Sequence, residues 1–299
     1  MSSALRQLGE DPRHFQIAML GGLLAYGQGA LGFGLEAGWI AAIGGAALAV
    51  QWALGRAVDG VGFEPRSALI SALSLCLLLR ADAWLWGPLA AAIAVGSKFA
   101  LRRRGRHVAN PTALALAALA LCSDAVWISP GQWGSAALGA FAVAGLGSLV
   151  VRRAARSDVT WAFLACYAGG VLGRALWLGD APAIALHQLQ SGALLLFAFF
   201  MISDPRTTPD ARAGRVLWAA CVAACALWLR FAHFEPNALV YALVACTPLV
   251  PCIDRLLPAP RHCWPGEPEP RTRGDSDHAT PHPHALRPGR PRPVLGAAG

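Results

Sequence analysis

AWLWGPLAAAIAVGSKFALRRRGRHVANPTALALAALALC, residues 83–122, sets two apolar runs on either side of a turn that holds Lys98, Arg102, Arg103, Arg104 and Arg106. About 20 apolar residues cross a bilayer as a helix, and positive residues beside the ends of such runs stay on the cytoplasmic side. The five cations therefore mark this turn as cytoplasmic, with a span on each side of it.

Working outward, ten apolar runs are expected to be membrane helices: 15–35, 37–54, 68–79, 83–95, 108–122, 133–151, 159–178, 189–202, 216–229 and 236–253. Several are too short to cross at full thickness, so buried or broken helices are expected there. Ten spans place 22 of the 25 Lys and Arg residues on one side and leave only Arg80, Arg174 and Arg230 on the other. One missed or invented helix would scramble that division, which predicts both termini in the cytoplasm of a bacterial inner membrane. A nine-helix version needs a re-entrant segment at 68–79 or 83–95. The expected fold class is thus all-α and polytopic. Residues 1–14 form a cytoplasmic N-terminus, 15–257 the membrane domain, and 258–299 a Pro/Arg/His-rich tail whose composition cannot support a packed core.

Composition agrees. Hydrophobic residues make up 56% and charged residues 14%, against about 25% charged in soluble domains, and mean hydropathy is +0.46. A formal charge of +8 sits in short clusters between apolar runs, which points to the lipid bilayer and not to nucleic acid. No A-x-A site follows the first fourteen residues, so no removable signal peptide is expected. Of eight cysteines, seven lie in or beside apolar runs and none forms C-x-x-C; Cys221 and Cys225, one helical turn apart, read as packing residues.

Ten spans divide into five plus five, and an odd number per half makes the second half insert upside down. The fifth run opens Asn110-Pro111 and the tenth Pro236-Asn237, while the third and eighth are both short. Paired short or Pro-interrupted segments point to a central site in transporter-type folds. Chance in an Ala/Leu-rich chain is the competing explanation.

Polar residues beside short spans are the candidate site residues: Asp124, Arg174, His187 and Asp180 on the outer side, and Asn110, Asp204, Arg206, Asp210 and Arg212 on the inner side. Arg174 and His187 read either as a polar pair lining a cavity or as snorkelling side chains. Asp204-Pro205 reads as a helix stop whose carboxylate accepts turn amides, or as a ligand contact. Asn110-Pro111 has the chemistry of a helix start. His278, His282 and His284 lie in the low-complexity tail and are not read as a metal site. No P-loop, G-x-G-x-x-G, H-E-x-x-H or nucleophile elbow occurs, so soluble catalytic chemistry has no visible address.

GRHVANPTALAL, SDAVWISPGQWGS, GRALWLGD and SGALLLFAFFMISDPRTTPDARAGR together resemble the NQR2/RnfD/RnfE membrane family. The similarity is closest to the D subunit of RnfABCDGE-type electron transport complexes, in the stand-alone branch that includes an enediyne-cluster membrane protein. The resemblance implies two inverted five-helix halves, similar to urea transporters, and flavin-mediated electron transfer coupled to ion movement among membrane redox partner subunits. At most, the chain is then one subunit of a membrane oxidoreductase. Asn110-Pro111 and Asp204-Pro205 match the family's Asn-Pro and Asp-Pro. The family's covalent flavin sits on a Thr of an outer loop, but no Thr occurs between Pro130 and Asp158, and Ser191-Gly192-Ala193-Leu194 has Leu at that place. Non-covalent FMN is the cofactor this leaves. A small-solute channel and an accessory membrane protein of a biosynthetic cluster remain as alternative readings.

Overall fold

A computed structural model describes residues 11–59, 63–103, 106–129 and 156–260, all within one compact unit, Met1–His262. The expected sixth span, 133–151, and nearly all of the tail lie outside these residues. Helices dominate: α1 (Pro12–Ala30), α2 (Ala37–Leu54, continued by a π-helical turn Gly55–Asp59), α3 (Pro65–Leu78), α4 (Trp86–Ala100), α5 (Pro111–Cys122), α6 (Ser157–Leu178), α7 (Pro182–Leu189), α8 (Gly192–Leu196, continued by a π-helical turn Phe197–Met201), α9 (Arg212–Ala232), α10 (Ala238–Ala245) and α11 (Leu249–Leu256).

Three helices, Ala37–Val58, Ser157–Leu178 and Arg212–Ala232, are individually long and apolar enough to span a membrane. The bent pairs α7–α8 (48°) and α10–α11 (50°) bring the number to five if each pair is one span, and α3 and α5 are shorter apolar helices. The protein is polytopic and helical; the breaks fall at the start of the short run 189–202 and inside the full-length run 236–253, while the short runs 68–79 and 108–122 form single short helices.

The run at 189–202 proves to be the second half of a broken helix. Its first half, α7, carries His187 and Gln188, whose polarity hides it from a hydropathy reading. Likewise α4 continues past 95 through Lys98, and α1 stops at Ala30, before the bend made by Gly32 and Gly34 at positive φ. Gln28 closes that bend: its Nε2 donates to Leu35 O (2.6 Å) and its Oε1 accepts from Leu35 N (3.0 Å).

Against the all-α expectation, two short ribbons occur. α3 and α5, at about 1.5 Å per residue, stop well short of a bilayer's thickness. Each is followed by a strand, β1 (Leu79–Ala81) and β4 (Val126–Ile128), and the two pair antiparallel with Leu79 opposite Ile128. Two short helices thus satisfy each other's emerging backbone, as apolar surroundings require. β2 (Arg102–Arg103) pairs with β3 (Arg106–His107) in the basic turn.

The packing runs in parallel through the chain: α2 lies on α4 and α6 on α9, α4 on α5 and α9 on α10, and α5 meets α10. Small residues permit the close crossings. A Cβ at Gly87 would lie 2.7 Å from Trp39 Nε1, and one at Gly170 would strike Leu227. Freed carbonyls at the breaks find donors within the bundle. Thr160 Oγ1 donates to Ala198 O (2.7 Å), Ser203 Oγ to Phe199 O (2.6 Å), and the buried Trp218 Nε1 to Cys246 O (3.2 Å) where α10 ends.

Candidate functional site

Among the described residues, several of the cations assigned by sequence to the cytoplasmic side fall into two groups of ion pairs. Asp11 caps α1 and Glu64 caps α3. Arg66 Nη1 reaches Asp11 at 2.8 Å and Arg13 Nη2 reaches it at 2.7 Å, and Arg66 also pairs with Glu64. Burial of Asp11 opposes ionisation but is outweighed by hydrogen bonds from Arg13 and by the Arg13 and Arg66 charges, which hold its pKa below the usual value. The Arg66 hydrogen bond does the same for Glu64.

The second group is a junction centred on the loop between α8 and α9, which Arg106 holds from β3. Its Nη1 lies 2.9 Å from both oxygens of Asp210. Its remaining nitrogens donate to Thr208 O (2.7 Å), Pro205 O (3.2 Å) and Arg206 O (3.2 Å), and Asp254 of α11 stands 3.7 Å away. Asp254 Oδ1 also accepts from Asp210 N (2.8 Å). Arg156, before α6, donates to Thr208 Oγ1 (3.1 Å), and Arg215 of α9 pairs with Asp158 of α6 at 2.6 Å. Burial and the nearby Arg215 lower Arg156 to about 10, so it stays charged at neutral pH.

Asn110 joins the same junction. Its Oδ1 accepts from Ala113 N (3.0 Å), capping α5, while its Nδ2 donates to Met201 O (3.1 Å) at the last turn of the broken helix. Three residues on, Asp204 Oδ1 accepts from Arg206 N (3.0 Å) in a tight turn, as the Asp-Pro reading anticipated. Burial raises Asp204 above the usual carboxylate range, against the pull of that turn amide and of Arg206, Lys98 and Arg106. Lys98 is 3% exposed and donates from Nζ to Ser67 O (2.6 Å) and Oγ (2.9 Å). Burial and surrounding cations push His107 down to about 3, so its imidazole is neutral.

Of the sequence candidates, Asn110, Asp204, Arg206 and Asp210 therefore gather around this loop, whereas Arg212 is exposed at the start of α9. The outer group does not converge on them. Asp124 is exposed in the turn after α5, and His187 is exposed on α7. Arg174 pairs with Asp180 at 3.8 Å and lies 4.4 Å from the Phe231 ring centroid. Sequence reasoning counted Arg106, Arg156, Arg215 and Lys98 only as loop charges. The signal that could have separated them is the acid placed beside each basic turn, at Asp158, Asp210 and Asp254. Among the described residues no group of three or more His, Cys, Asp or Glu could hold a metal ion.

Residues 120–262, which carry both bent pairs and the loop between α8 and α9, match the model of the NQR2, RnfD, RnfE family. The chain is similar to the D subunit of the ion-translocating oxidoreductase complex of Stutzerimonas stutzeri, 35% identical over 96 residues, 28% of this chain and 27% of that protein. The D subunits of the same complex from Tolumonas auensis (35% over 68 residues, 23% of this chain and 20% of that protein) and Psychromonas ingrahamii (36% over 75 residues, 25% and 21%) are similar too. The aligned stretches span about a quarter of the length of these curated relatives. Over residues 120–262, which include the loop between α8 and α9, this chain is thus similar to the NQR2, RnfD, RnfE family.

Proposed function

We propose that the protein is a membrane-embedded subunit of an ion-translocating redox assembly, of the RnfD kind, in the bacterial inner membrane. The observation that carries this reading is the coincidence of the family match with the two broken helices and the polar junction they end in. Broken helices that meet fixed charges are where transporter-type folds place their ion sites. The relatives named above are subunits of an ion-translocating oxidoreductase complex, so the partners proposed here are membrane redox subunits.

The repeated packing of α2–α4 with α6–α9, and of α4–α5 with α9–α10, supports ten spans in two inverted halves of five, with 133–151 as the sixth. Cytoplasmic termini are supported by the division of Lys and Arg among the turns between spans.

The residues do not fit a covalent flavin, since the stretch from Pro130 to Asp158 has no Thr to carry it. Non-covalent FMN is the redox group proposed, and no electron-transfer step is assigned to the residues described. Purification from bacterial membranes tests both parts: flavin absorbance with co-purifying redox subunits is expected, and absence of both removes the reading. Four short or broken elements (α3, α5, α7–α8 and α10–α11) favour a second reading, a small-solute channel. Liposomes holding the chain alone would then conduct small neutral solutes, which a redox subunit would not.

A further inference from the structure

Of the 25 Lys and Arg residues, 24 are Arg and one, Lys98, is Lys. An arginine stays charged throughout the working range of a protein, whereas a lysine gives up its proton readily once its amine is taken from water. The chain thus builds its basic turns from permanent cations and places its single releasable one inside the protein, 3% exposed.

The surroundings of that amine suit its neutral form. Lys98 Nζ donates to Ser67 O (2.6 Å) and Ser67 Oγ (2.9 Å), both on the first turn of α3. Two acceptors match the two N–H bonds of a neutral amine, whereas an ammonium has three. Among the described residues, Lys98 has no third acceptor and no ion pair with a carboxylate.

The charged and titratable groups around it come from three places. Asp204 and Arg206, in the loop after α8, act on it with opposite sign. Arg102 follows one turn later, with its Nε on Lys98 O, and stands opposite His107, whose ring is neutral. On α3 the neighbour of Ser67 is Arg66, which is paired with Asp11 and Glu64, while Cys76 and Arg80 lie at or beyond the far end of that helix. α2 and α5 also pack on α4 and carry no charged side chain.

A state that buries an amine without an ion-pair partner binds its proton weakly, and a state that hydrates the amine binds it tightly. Proton uptake and exposure of Lys98 are then linked. We propose that Lys98 is a proton-binding site at the start of α3: docked on Ser67, the amine releases H+ to water at the basic turn, and when α3 and α4 part there it takes one up. The site stands without the redox reading above.

As the one lysine, Lys98 gives a single side-chain resonance when the full chain, in lipid nanodiscs, carries lysine labelled with carbon-13 at Cε. Followed against pH, that resonance should show a midpoint between about pH 5.5 and pH 8.5, against about 10.4 for a hydrated lysine. A midpoint outside that window overturns the proposal. Amide hydrogen exchange gives the second readout. Protection at residues 69–72 should fall about tenfold per pH unit as pH drops from about 9 to the midpoint, and level off below it. Lys98→Met, whose side chain takes no proton, should lose that dependence. Protection independent of pH in the unmutated chain overturns the proposal, as does the same fall in Lys98→Met, which would assign it to Asp204 or His107. If Lys98→Met does not fold, the two measurements on the unmutated chain decide.

Discussion

Arg106 Nη1 lies 2.9 Å from both carboxylate oxygens of Asp210, and through this contact the turn after α4 grips the loop after the broken helix α8. Both side chains are largely withdrawn from solvent, at 14% and 11% exposure. Removing one member of such a pair leaves the other charge buried and unmatched. Arg106→Ala is expected to destabilise the protein by about 3 kcal/mol, measured as loss of helicity on titration with SDS. Arg106→Lys should recover only part, because an ammonium cannot reproduce the guanidinium's spread of donors. A double-mutant cycle with Asp210→Asn should give clear coupling between the two positions.

The crossing of α6 and α9 depends on Gly170. A Cβ there collides with the flexible Leu227 side chain, so Gly170→Ala should cost about 1–3 kcal/mol. Leu227→Ala in the same chain should restore part of that loss, a non-additive pair read by thermal melting in detergent. Gly87→Ala meets the Trp39 ring, which is fixed by its bond to Trp84 O, and no single partner truncation should rescue it as fully.

Trp218 fills the gap where α10 stops, and its Nε1 donates to Cys246 O at 3.2 Å. Trp218→Phe keeps much of the volume and removes the donor. The expected loss is about 1–3 kcal/mol for an unpaired buried carbonyl, with faster hydrogen exchange at the start of α11 as the local readout.

Two carboxylates should respond to pH with opposite sign. Asp11 is lowered in the folded protein, so its contribution is present above the unfolded pKa and is lost as pH falls through the folded value. Asp204 is raised, chiefly by burial, so its contribution is present below the unfolded pKa and is lost as pH rises through the folded value. Asp11→Asn should therefore reduce stability at neutral pH, whereas Asp204→Asn should preserve or increase it. Melting curves from acid to neutral pH check both signs.

Much of this architecture is legible from chain chemistry alone. Ala37–Val58, Ser157–Leu178 and Arg212–Ala232 are continuous apolar runs, and Asn110-Pro111 announces a helix start that its carboxamide does cap. The breaks were harder to read. α7 is short and polar at its end, and the α10–α11 break at Thr247-Pro248 interrupts an apolar run without altering its hydropathy. The β1–β4 ribbon depends on pairing across nearly fifty positions, for which a local pattern carries no signal. The junction escaped for a different reason. Counting Lys and Arg assigns a side, but it cannot show which of them, such as Arg106, turns inward to bond the backbone of a distant loop.

The central claim is that the bilayer is this chain's solvent, with the Arg106–Asp210 junction at the cytoplasmic end. In a cysteine-free background, Trp177→Cys and Phe234→Cys sit on highly exposed residues at the opposite end, and Arg212→Cys sits on the exposed first turn of α9. A membrane-impermeant maleimide applied to intact spheroplasts should label the first two, and should label Arg212→Cys only after permeabilisation. Labelling of Arg212→Cys together with Trp177→Cys in intact spheroplasts would contradict the account.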